Sequence, residues 1–166
     1  EIAEIFSKII ITSLTVYSFL HFPFHFHFYK RFFSNKNYSL SLYKYLRDIS
    51  VFVFLISPLI FVITLIFFDS LIFAILITFW LASEKILDEI QRYEQYSKQF
   101  LEWSLVFLLK IFIPAIFFTG CLFIYQEIAL TVFLFSSILT NSLLTFFLMR
   151  KKYIRYPNIF LNIKNI

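Results

Sequence analysis

Long apolar runs broken by short polar ones dominate the chain, and the lengths of those runs predict its elements. Residues 49–68, ISVFVFLISPLIFVITLIFF, contain no charge. A helix rises about 1.5 Å per residue, so about 20 apolar residues match a hydrocarbon core about 30 Å thick. The same pattern predicts spans over 104–125, interrupted by Lys110 and Pro114, and over 128–149, with Asn141 near its middle. Residues 9–28 form a further uncharged run long enough to span, the weakest of the five because Ser, Thr, three His and Pro23 interrupt it. After 49–68 comes Asp69-Ser70. A single helix running on to Ser83 would measure about 50 Å, too long for the core. The pair therefore predicts a tight hairpin, with Asp69 or Ser70 as the N-cap of the next helix. That helix has a short apolar stretch, LIFAILITFWLAS, before Glu84, and is predicted to span over 71–87 by snorkelling, with Trp80 as an interface anchor.

From residue 84 the period changes. In EKILDEIQRYEQYSKQFLEW, Ile86, Ile90, Tyr93 and Phe100 recur at helical steps, and charges fill the other faces. Asp88 with Arg92 and Glu94 with Lys98 stand at the favourable i, i+4 spacing. The reading is an amphipathic helix over 84–102 that leaves the membrane, its stripe of Ile86, Ile90, Tyr93 and Phe100 docking on a partner. The expected fold is therefore all-α. It is a single polytopic membrane domain over 1–166 with about five transmembrane helices, one amphipathic extramembrane helix and a basic tail over 150–166.

Composition agrees with that fold and removes its rivals. Of the 166 residues, 60% are hydrophobic and 15% charged, against roughly 45–50% and about 25% in soluble domains. Disordered chains are poor in aromatics, whereas this one has 26 Phe and 10 Tyr. A single glycine excludes sandwich and dinucleotide-binding folds, which need glycine at their turns. The net charge of +5 does not point to nucleic acid, because the basic residues flank apolar runs. The 30–47 loop and the tail are both basic and are separated by four expected spans. They therefore share a side, near anionic headgroups over 30–47 and 150–164. The turns at Asp69 and Glu127, with Glu1 and Glu4, fall on the opposite side. Glu1 and Glu4 also stand where a signal peptide would be basic, so no cleavable signal is expected.

Candidate chemistry is sparse. His21 and His25 are one helical turn apart and are the only cofactor candidates, for a haem or quinone shared with a partner subunit. No zinc set completes around them, and neither a metal nor a cofactor is expected. Cys121 is the single cysteine and forms no internal disulfide. Lys110 and Asn141 are the intramembrane polar candidates: a snorkelling or partner-paired lysine, with a proton path as its alternative role, and a helix–helix hydrogen-bonding amide. No nucleophile elbow, P-loop, HExxH or CxxC occurs, so no catalytic residue is expected. With Gly120 as the only glycine, and Ala74, Ala82, Ser136 and Ser137 scattered, hinges and close small-residue packing have little to work with.

The excess of Phe, Ile, Leu, Tyr, Lys and Asn, with one Gly and four Pro, is what an AT-rich genome encodes. Together with the uniform hydrophobicity, it resembles the small divergent membrane proteins of protist mitochondrial genomes, notably those of ciliates. The resemblance implies a subunit of a respiratory-chain complex or of ATP synthase in the mitochondrial inner membrane. Other membrane subunits would be its partners, and its C-terminus would lie on the matrix side. The stretch 49–103 is similar in plan to the peripheral-stalk b subunit of ATP synthase. The five-span layout resembles the sixth membrane subunit of NADH dehydrogenase, which is the first choice.

Overall fold

A computed structural model describes residues 38–96 and 100–155, together with Glu4, Ser7, Lys8, Ile11, Thr12, Thr15 and Val16, which are helical. Four helices carry the fold: α1 (Tyr38–Phe68), α2 (Leu71–Tyr96), α3 (Phe100–Ile124) and α4 (Gln126–Arg155). Three are long and apolar enough to cross a bilayer, over Ile49–Phe68, Leu101–Ile124 and Ile128–Arg150. The protein is thus an all-helical membrane protein, with no strand among the described residues.

The expected third span over 71–87 is not a separate element. It is the first part of α2, which continues without a break to Tyr96. At about 39 Å the helix is long enough to cross, but its second half is too charged to count as a membrane span by composition. The amphipathic helix expected over 84–102 is corrected in the same way. Its residues belong to α2 up to Tyr96 and to α3 from Phe100. The basic 30–47 segment is helical from Tyr38, and the basic tail begins inside α4. The proposed 9–28 span falls largely outside the described residues.

Asp69 makes the first hairpin. Its φ is 47°, in the left-handed region, and its N–H donates to the Leu65 carbonyl at 2.9 Å. That is the single-bond C-terminal stop that glycine usually supplies, and aspartate is among the few other residues that tolerate it. Ser70 then opens α2, its carbonyl accepting from the Ala74 N–H at 3.0 Å. Asp69 therefore ends α1 and does not cap α2. The second hairpin is tighter than the expected Gln126-Glu127 turn. Tyr125 alone connects α3 to α4, its N–H donating to the Cys121 carbonyl at 2.7 Å.

α2 packs against α1, α3 and α4, and α3 packs against α4. Short turns make neighbours antiparallel, so the apolar contacts stack in two layers. Near the Asp69 and Tyr125 end, Ile60, Ile77, Leu81, Leu130 and Leu134 form one cluster. Towards the other end, Leu87, Ile90, Val106, Leu144 and Leu148 form the second. Trp80 lies in the first layer, ten residues into α2 and about 15 Å from its start. It packs edge-on to Phe133 at 6.4 Å, so it is an interior contact and not an interface anchor.

Small residues do appear at the helix contacts. Ala74, Ala129, Ser136, Ser137 and Thr140 are buried, and in α4 Ala129, Ser136 and Thr140 stand seven and four residues apart on one face. The Ser136 and Ser137 hydroxyls donate to the Phe133 carbonyl, and that of Thr64 to the Ile60 carbonyl, so each is satisfied within its own helix. Gly120 plays no such part: it is exposed, and a Cβ there would meet nothing within 4 Å. Large apolar side chains such as Phe54, Leu59, Ile66, Phe112, Ile116, Phe146 and Phe147 face outwards. Relief of the left-handed strain should make Asp69→Gly more stable by up to about 1 kcal/mol. Gly120→Ala should be neutral or gain about 0.5–1 kcal/mol. Denaturant titration in mixed micelles checks both, and a destabilised Asp69→Gly would contradict the turn assignment.

Candidate functional site

The stretch Glu84–Arg92 of α2 is buried or half-buried in the bundle. Leu87 and Ile90 are fully buried, and Lys85 and Glu89 are exposed by only 1% and 2%. Lys85 and Glu89, one turn apart, form a buried ion pair, and both make further contacts.

On the neighbouring face, α2 meets the two polar candidates of the other helices. Lys110 of α3 is ion-paired with Glu84 Oε1, and its Nζ donates to Asp88 Oδ1 at 2.7 Å. Glu84 and Asp88 are four residues apart, so both carboxylates point along one helix face towards the same ammonium. The other oxygen of Glu84, Oε2, accepts from Asn141 Nδ2 at 2.8 Å. Asn141, 1% exposed, also donates to Ser83 Oγ at 3.3 Å. Three helices thus meet at one carboxylate. Lys110 lies about 14 Å along the axis from Leu101, the start of its span. Snorkelling along the stem to the membrane surface is not what it does; it reaches sideways to α2.

Charge balance explains why the arrangement can exist in hydrocarbon. The segment Glu84–Arg92 holds three acids, Glu84, Asp88 and Glu89, against two bases, Lys85 and Arg92. Lys110 supplies the third positive charge from α3. Burying ions is expensive, and each carboxylate left unpaired would cost several kcal/mol. The nearest alternative, pairing with a partner's acid, is not needed for Lys110, because its acids are in its own chain.

Lys110 and Asn141, chosen separately from the sequence, are therefore brought together through Glu84. Of the expected docking stripe, Ile90 is fully buried and Ile86 partly buried in the second apolar layer. Those two are covered by the chain's own helices, which corrects their assignment to a partner surface. The side chains of Tyr93 and Phe100 lie outside the described residues, as do His21 and His25. Among the described residues no group of three His, Cys, Asp or Glu could hold a metal ion. Sequence reading passed over Glu84, Asp88, Lys85 and Glu89 because charged residues on a periodic helix read as solvated. The available signal was the acid excess over 84–92 beside a lone lysine in another span.

No family model, curated protein or solved structure matches the chain.

The chemistry this geometry supports is twofold. It clamps a charged helix between apolar ones, and it forms a connected line of proton donors and acceptors from Asp88 through Lys110 and Glu84 to Asn141. Removing the shared ammonium takes a charge-paired contact from each of two carboxylates. Lys110→Ala should therefore lose about 3–5 kcal/mol of stability, while Lys110→Arg, which keeps the charge, should retain most of it. Thermal unfolding of the detergent-solubilised protein measures the difference. Equal losses for the two variants would mean that packing, not charge, makes the site.

Proposed function

We propose that this chain is a non-catalytic structural subunit of an energy-converting complex in the mitochondrial inner membrane, with NADH dehydrogenase of the respiratory chain as first choice. The observation that carries the reading is the division of labour in the bundle. Buried charges are matched within the chain, and the outward surfaces of α1, α3 and α4 offer large apolar side chains. Such a surface suits lipid and neighbouring membrane subunits. The composition adds the organelle: a Phe-, Ile- and Asn-rich chain with one glycine suits an AT-rich mitochondrial genome.

A stalk subunit of the b type is the alternative within the same compartment. It needs a charged helix projecting into water. Here Lys85, Glu89 and Gln91 of α2 are buried among the chain's own helices, which favours the first reading. In the proposed orientation the end bearing Arg47, Arg92 and Arg150 faces the matrix, as the positive-inside rule requires.

In mild detergent the polypeptide should co-migrate with a respiratory complex on a native gel and remain with it through a second dimension. Migration as a free monomer, separate from any respiratory or ATP-synthase assembly, would end the proposal.

A further inference from the structure

Gln91 is 5% exposed, and its side-chain Nε2 has no acceptor. It stands three residues after Asp88 and seven after Glu84, so all three share one face of α2. A buried amide donor without a partner is costly, and a small polar site of this kind is where buried water is found.

The two ion pairs beside it differ in access. Side-chain exposure is 2% and 3% for Lys85 and Glu89, which are sealed. It is 13% for Lys110, 21% for Glu84 and 23% for Asp88. A molecule the size of water can reach the second group. Pro114 adds a further acceptor. It has no N–H, so the Lys110 carbonyl, four residues earlier, lacks its helical donor.

We propose that Asp88, Lys110 and Glu84 form a proton-exchange site inside the membrane, supplied by water held at Gln91. In the exchange step a Lys110 Nζ–H bond breaks, and the proton passes to Asp88 Oδ1 or Glu84 Oε1. An ammonium and a carboxylate become a neutral amine and a carboxylic acid, with no change in electron count. The new carboxylic acid then releases its proton to the Gln91 water, and the amine lone pair takes a proton from a hydronium ion delivered through the same water, so the carboxylate and the ammonium are both restored. The groups facing Lys110 are Glu84 and Asp88 of α2, with Lys85, Glu89 and Arg92 flanking them, and Asn141 of α4 held on Glu84. Asn141 does not titrate, so it fixes the Glu84 carboxylate without competing for the proton. The proposal is independent of the assembly the chain joins.

Infrared spectroscopy of the full-length protein in phosphatidylcholine vesicles tests it. The expected result is a carbonyl band of a buried carboxylic acid that shifts on transfer to deuterated buffer. It should be lost in the double variant Glu84→Gln, Asp88→Asn. Deuterium exchange of that band should be several-fold slower in Gln91→Leu. It should also slow in Lys110→Arg, because arginine keeps the charge but does not release the proton. Helix content by circular dichroism identifies any variant that fails to fold. If the double variant is one of these, the wild-type band and the two exchange rates decide. Absence of the band, or an exchange rate unchanged in a folded Lys110→Arg, overturns the proposal.

Discussion

The cost of placing charge in hydrocarbon organises this bundle. α2 carries five ionisable residues between Glu84 and Arg92, in a register that overlaps the apolar lengths of its neighbours. Such a helix is stable there only if every face is covered and its excess acid is matched. α1, α3 and α4 provide the cover, and Lys110 provides the match. The result inverts a soluble domain: the most polar helix lies at the centre, and Phe, Leu and Ile face outwards.

That constraint also accounts for how the helices touch. Lipid tails are as apolar as leucine, so burying leucine against leucine gains little here compared with water. Close packing and polar contacts must do more. The buried face of α4 combines Ala129, Ser136, Ser137 and Thr140 with Asn141, and only Asn141 is known to reach across to another helix's side chains. The serine hydroxyls turn back on their own helix, which satisfies them without specifying a neighbour. Specific pairing of α2 with α3 and α4 therefore rests on the Glu84 carboxylate, where an ammonium and an amide converge. A bundle with one glycine, placed where nothing approaches it, does not use glycine to bring helices together or to end them. Asp69 takes over the left-handed turn.

A clamp and a proton-exchange site are compatible in one cluster. The sealed Lys85–Glu89 pair serves only to hold, whereas the Lys110 group is part-open and lies beside an unsatisfied amide. A static scaffold can thus carry a polar position well inside the membrane without moving parts. That position lies on the half of the bundle nearer its basic end.

The sequence by itself determined the membrane class, the all-helical architecture, the 49–68 span nearly to the residue, and the prominence of Lys110 and Asn141. Those follow from local quantities: run length, absence of charge, and a polar side chain in an apolar context. Tertiary structure decided what lies between. Whether Ile86 and Ile90 meet a partner or their own chain, and whether Glu84 to Arg92 face water or neighbouring helices, depends on where α2 lies relative to three other helices. Periodicity is blind to that, because an amphipathic pattern is the same whether its polar face meets solvent or an ion pair. Charge summed across separate spans comes closest to bridging the gap, since an unmatched lysine in one apolar helix and an unmatched acid in the next can lower each other's cost only by meeting.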